Sequence, residues 1–219
     1  MRQSYKVASA AAWLLLVFLL RANAQAPNFT RVDEVFARWD KPDTPGCAVA
    51  VIQGGHIVYS QGYGIANLEY NIPITPTTAF HVASLSKQFT ALAVALLVAD
   101  REISWDDDIR RYVSEVPNFG NRITLRQLAT HTSGLRDQWS LLRMAGWRLE
   151  GEVVKQGDVL DLVSRQRALN FPSGTDFMYS NTGYTLLALV IERQTGQPLS
   201  EFADARIFSP LGMRHTLLY

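Results

Sequence analysis

Cysteine is almost missing from this sequence: Cys47 is the single one in 219 residues. No intramolecular disulfide can hold the fold, and a metal site built from Cys ligands is excluded with it. Flanked by Gly46 and the apolar stretch Ala48 to Ile52, Cys47 is expected to be a small buried residue rather than a thiol nucleophile. Histidine is also sparse. His56, His81, His131 and His215 are scattered with no Cys or carboxylate at ligand spacing, so no metal and no cofactor is assigned.

Other absences narrow the reading further. Charged residues make up 19% of the chain, the formal net charge is +1, and no segment concentrates Lys or Arg. That pattern excludes a nucleic-acid partner or a basic membrane-binding surface. The longest apolar run, Val7 to Leu20, holds 14 residues and is closed by Arg21. It falls short of the roughly 20 that span a bilayer core, so no membrane span is expected once the leader is gone. There is no internal repeat, no low-complexity tract and no Gly-x-Ser-x-Gly nucleophile elbow.

What remains is a chain with 47% apolar residues, enough to bury a core for one domain or one plus a fraction. Its first residues differ from the rest. Arg2 and Lys6 precede the apolar run, and Ala22-Asn23-Ala24 supplies small residues, which together form the pattern of a secretory signal peptide. Cleavage after Ala24, or after Ala26 by the equivalent Ala24-Gln25-Ala26, removes three positive charges and no acids, taking the net charge from +1 to −2. The expectation is a leader over residues 1–24, a domain over residues 30–219, and a periplasmic or secreted product.

Apolar spacing predicts a helix over Thr30 to Trp39, ended by Pro42 and Pro45. Cys47 to Ile52 and His56 to Ser60 read as strands joined by a tight turn at Gln53-Gly54-Gly55, with a third strand near Leu68 to Ile72. From Ser84 to Asp100 the sequence has no Gly or Pro and is packed with Ala and Leu, a core helix. Shorter helices are expected over Trp105 to Val113, Thr124 to Thr130 and Asp158 to Ala168. His131-Thr132-Ser133-Gly134 is a helix-ending turn with a structural part, and Phe171-Pro172-Ser173-Gly174 a loop. Asn181 to Thr195, stopped by Gly196, and Ser200 to Phe208 complete the set. The fold class is α+β (mixed alpha/beta), an antiparallel sheet flanked by helices plus a helical subdomain. The opening strands find no later strands to complete their sheet, so the sequence reads as cut short at its C-terminus.

Ser84-Leu85-Ser86-Lys87 places a hydroxyl at a helix entrance and an amine one turn on, facing the same way. A serine hydroxyl is a weak nucleophile at neutral pH and needs a base beside it, which a desolvated lysine can supply. Serine is equally a preferred helix cap. With 14 Ser and 4 Lys, Ser-x-x-Lys arises by chance about 0.26 times (14 × 4 / 219) in such a chain. A second element raises its weight. Tyr179-Ser180-Asn181 sits between the Phe171–Gly174 loop and an apolar helix, where a tyrosine can relay a proton and an asparagine amide can orient the lysine and bind a substrate amide. Taken singly, Tyr179 would pass for a packed aromatic and Asn181 for a cap.

These stretches resemble the serine beta-lactamase and penicillin-binding-protein family, and in particular its class C beta-lactamase-related branch. The likeness runs through Phe80-His81-Val82-Ala83-Ser84-Leu85-Ser86-Lys87, Leu125 to Gly134, Phe171 to Gly174, Tyr179 to Tyr184 and Pro210-Leu211-Gly212-Met213. It covers about residues 30 to 219. Tyr-Ser-Asn, rather than Ser-Asp-Asn, is similar to class C enzymes and related peptidases and esterases. The resemblance implies a beta-lactamase/transpeptidase-like fold and a serine hydrolase without cofactor. It makes Ser84 the acylated nucleophile, has Lys87 and Tyr179 share the proton, and sets Asn181 against the substrate amide. The substrate would be a small molecule or peptide: a beta-lactam, a D-Ala-D-Ala peptide or an ester.

One family element is not found. After Tyr179 there is no Lys or His followed by Ser or Thr and then Gly, the motif that in the family lies on a late strand and adds an oxyanion-hole amide. Loss of one such donor costs about 10²- to 10³-fold in rate. The alternative expectation is therefore a truncated, catalytically inactive binding or regulatory homologue that recognises peptidoglycan-like peptides.

Overall fold

The computed structural model describes residues 28–148 and 151–218. The proposed leader over residues 1–24 lies outside the described residues. The chain divides into two compact units, one ending at Phe80 and one from His81 to Tyr219.

In the first unit, helix α1 (Thr30–Phe36) continues as a 3-10 turn (Ala37–Trp39). Strands β1 (Cys47–Gln53) and β2 (His56–Tyr63) form an antiparallel hairpin. Gly54 (φ 57°) and Gly55 (φ 80°) turn it, a pair of left-handed residues that glycine adopts without a steric penalty. The expected third strand near Leu68 to Ile72 is corrected by the structure. The chain instead forms a separate two-stranded ladder of β3 (Ile65–Asn67) and β4 (Ile72–Pro73), with a turn between them. Gly64, at φ 72°, breaks the chain direction between β2 and β3, which is why the meander does not continue as one sheet. Tyr63 is buried, stacks on Phe36 and donates to Asp33 at 2.8 Å, which ties α1 to the hairpin. Cys47 is only partly buried, short of the burial expected for it.

The second unit is helical. A 3-10 turn (Ala83–Ser86) leads into α2 (Lys87–Ala99), followed by α3 (Leu125–Ala129), α4 (Gln138–Met144) and α5 (Gln156–Ser164). The long helix α6 (Asn181–Thr195) and the short α7 (Leu199–Ala203), which runs on as a π turn (Asp204–Phe208), complete it. Helix α6 is the hub: Leu186, Leu187, Val190 and Ile191 are fully buried, and it packs on α2, α3 and α5. Burying four such side chains supplies roughly 1.5–3 kcal/mol each. A Cβ on Gly183 would lie 2.9 Å from the Leu128 carbonyl oxygen, so this glycine lets α6 and α3 approach closely. Gly196 (φ 72°) ends α6 in a left-handed cap, as its position predicts.

Two helical expectations shrink. Within Trp105 to Val113 only Ile109–Arg111 forms a 3-10 turn, because the aspartates bind locally: Asp107 accepts from the Ser104 amide and Asp108 from the Arg110 amide and guanidinium. Such side-chain bonds compete with helix formation. The helix expected over Asp158 to Ala168 starts two residues earlier and stops at Ser164. Helix α4 was not anticipated at all.

Candidate active site

The Ser84 side chain does not cap a helix. It sits inside the 3-10 turn, and α2 starts at Lys87 with no side-chain cap from Ser86. Ala83, just ahead of it, is held at φ 46°, a left-handed conformation that costs a non-glycine residue about 1–3 kcal/mol and marks a strained, over-determined position. The turn leaves Ser84 exposed and places it one turn before Lys87, whose Nζ donates to Ser84 Oγ at 3.1 Å.

Tyr179 and Asn181 arrive from the start of α6. Ser84 Oγ lies 2.7 Å from the Tyr179 hydroxyl, and Lys87 Nζ donates to Asn181 Oδ1 at 2.8 Å. The four residues singled out in the sequence thus form one connected hydrogen-bond chain. The Lys87 ammonium also lies 5.0 Å from the centre of the Tyr179 ring and 5.4 Å from that of Tyr184. Burial pushes the Tyr179 hydroxyl towards a higher pKa, but its hydrogen bonds with Lys87 and Ser84 and the lysine's charge outweigh this and bring it below the ordinary tyrosine value.

An ammonium has only hydrogens to give, and Lys87 gives them to Asn181 Oδ1 and Ser84 Oγ. Ser84 Oγ also shares a hydrogen bond with the Tyr179 hydroxyl, in which either oxygen can be the donor.

Two residues that sequence reading did not assign to the site hold it in place. His131, at φ 59°, accepts from the Met178 amide on its carbonyl and from the Ser180 amide on Nδ1 at 3.2 Å. Its ring lies against Tyr179, with centroids 4.4 Å apart, so the His131–Gly134 turn braces the loop bearing the tyrosine. Burial and the charge of Lys87 lower the pKa of His131, against the opposing effect of the Ser180 amide. The second is Asp137, whose Oδ2 accepts from both the backbone amide (2.7 Å) and the side-chain Nδ2 (2.8 Å) of Asn181. The only sign of it in the sequence is an aspartate before Gln138-Trp139-Ser140, a capping signal for a short helix.

A cleft of about 480 Å³ opens on the Lys87 and Asn181 side, with Trp139, Tyr184 and Lys155 among its walls. Among the described residues no group of His, Cys, Asp and Glu is placed to hold a metal ion, and no helix is long and apolar enough to cross a membrane.

The chain is similar to proteins with related names. It is 36% identical over 172 residues to penicillin-binding protein 4* of Bacillus subtilis, covering 78% of this chain and 37% of that protein. It is 34% identical over 175 residues to the D-aminopeptidase of Gluconobacter oxydans, covering 80% and 32% respectively. In three dimensions it is similar to the octameric penicillin-binding protein homologue from Pyrococcus abyssi. That match has a TM-score of 0.71 at 31% identity and covers 84% of this chain and 42% of that one. The chain therefore spans about a third of the length of these curated relatives. With a serine and lysine at the start of α2 joined to a tyrosine and asparagine at the start of α6, and the beta-lactamase family model matching residues 32–219, the chain belongs to the beta-lactamase family.

Proposed function

We propose that this chain carries the nucleophile of an exported serine hydrolase that cleaves amides through a Ser84 acyl-enzyme. The observation that carries this reading is the unbroken chain Asn181–Lys87–Ser84–Tyr179. Ser84 Oγ attacks the carbonyl carbon while its proton passes to Tyr179. Tyr179 then returns the proton to the leaving amine, and the C–N bond breaks to leave an ester on Ser84. Water, deprotonated along the same route, hydrolyses that ester and releases the acid. Removal of a single general base in such a sequence costs typically 10²- to 10⁴-fold.

Amides are favoured over other acyl compounds because the curated relatives include D-aminopeptidases. A small-molecule or peptide amide with a D-configured residue is accordingly the substrate class we assign. Export rests on the leader pattern of residues 1–24, with a domain over residues 30–219.

The test is a panel of D- and L-amino acid p-nitroanilides, matched esters and a chromogenic beta-lactam. The reading expects release from D-configured anilides that Ser84→Ala abolishes. A folded protein that binds these compounds without releasing product would favour the inactive binding homologue instead.

A further inference from the structure

We propose that Asp137 is a positioning residue that sets the orientation of the Asn181 amide and, through it, the aim of Lys87 at Ser84. The inference deepens the reading of Ser84 as nucleophile and rests on it for its kinetic consequence. An asparagine side chain is symmetric in outline, so its neighbours decide which end points where. At Asn181 the decision is made by Asp137. Its Oδ2 is an acceptor only, and it takes both the Nδ2 hydrogen at 2.8 Å and the backbone hydrogen at 2.7 Å. The amide nitrogen is thereby fixed on the Asp137 side, which leaves Oδ1 turned to Lys87 Nζ at 2.8 Å. Were the amide reversed, its NH₂ would face an ammonium and Lys87 would lose the partner that draws it to within 3.1 Å of Ser84.

The other oxygen of Asp137 makes this placement rigid. Oδ1 caps α4, accepting from the backbone amides of Trp139 at 3.0 Å and Ser140 at 3.3 Å. One carboxylate thus ties the start of α4 to the start of α6. The neighbouring bonds run the same way: the Thr182 hydroxyl donates to the Arg136 carbonyl at 2.7 Å, and that of Thr185 to Gln138 Oε1 at 2.8 Å. A carboxylate with both oxygens committed in this way has no lone pair directed at substrate, so its effect is exerted through Asn181.

The two duties separate by substitution. Asp137→Ser keeps a good N-cap for α4 but is too short to reach Asn181. Asp137→Asn keeps the size, yet its single amide oxygen cannot serve both α4 and Asn181. The experiment measures thermal unfolding, the rate of Ser84 labelling by a fluorophosphonate, and the NMR signals of the Asn181 side-chain amide and the Lys87 side chain. Both variants are prepared alone and combined with Asn181→Ala. The expected result is a folded Asp137→Ser protein with shifted Asn181 and Lys87 signals and labelling slowed by about 10- to 100-fold. In the Asn181→Ala background the same change adds little, because the path it acts through is gone. Unmoved Asn181 and Lys87 signals, or an equal slowing with and without Asn181, would overturn the positioning role. Should the wild-type protein fail to label while Asp137→Ser still shifts those signals, the nucleophile reading falls and the positioning of Asn181 stands.

Discussion

Ser84 Oγ and the Tyr179 hydroxyl lie 2.7 Å apart, although 95 positions separate them in the sequence. The contact joins the turn before α2 to the loop before α6, and both ends are braced. Ala83 is held in a left-handed conformation on one side, and the His131 ring and its Nδ1 hold the tyrosine loop on the other.

If Tyr179 receives the serine proton, Tyr179→Phe keeps the ring against His131 and removes only the acceptor. Acylation of Ser84 should slow by about 10²- to 10³-fold with little loss of stability, because the side chain is 45% exposed. Stopped-flow acylation and thermal unfolding of the same variant check both halves.

The pH dependence has a definite sign. Tyr179 accepts a proton only as the phenolate, so acylation should rise with pH and level off below the ordinary tyrosine value near 10, because the net effect of its surroundings is a lowered pKa. Tyr179→Phe should lose that rising limb. A wild-type limb that levels off above 10 would contradict the assignment.

Gly134 closes the turn that bears His131. It sits at φ 76°, and a Cβ there would lie 2.2 Å from the Phe171 carbonyl oxygen. Gly134→Ala should cost about 2 kcal/mol or more in urea unfolding, since both the conformation and the space are denied to alanine.

Stability in acid should report on Glu115. Hydrogen bonds from Arg193 come first among the causes that bring its pKa to about 2, from 4.5. A carboxylate with a lower pKa when folded stabilises above its unfolded value, and the contribution is lost as pH falls from 4.5 towards 2. The pair is about a third exposed on both sides, so the contribution should stay under about 1 kcal/mol. Arg193→Ala should flatten that part of the pH–stability curve.

The sequence made some of this legible and hid the rest for physical reasons. The β1–β2 hairpin was readable because Gly54-Gly55 accepts two left-handed residues in succession, and α6 because its apolar run ends at a glycine. Ser84, Lys87, Tyr179 and Asn181 were readable as two short patterns, and folding brought them together. Asp137 was not: its local signal is a cap, whereas its hold on Asn181 spans 44 residues and depends on how α4 meets α6. The division of the opening strands into two ladders was equally hidden, since it turns on the backbone angle of Gly64.

The central claim is that Ser84 is the nucleophile. Peptide mapping by mass spectrometry, after incubating the folded protein with a fluorophosphonate, tests it most directly. The account predicts one adduct per chain on the peptide containing Ser84, absent from Ser84→Ala and strongly slowed in Lys87→Ala. An adduct that persists in Ser84→Ala, or none in a protein shown to be folded, would contradict it.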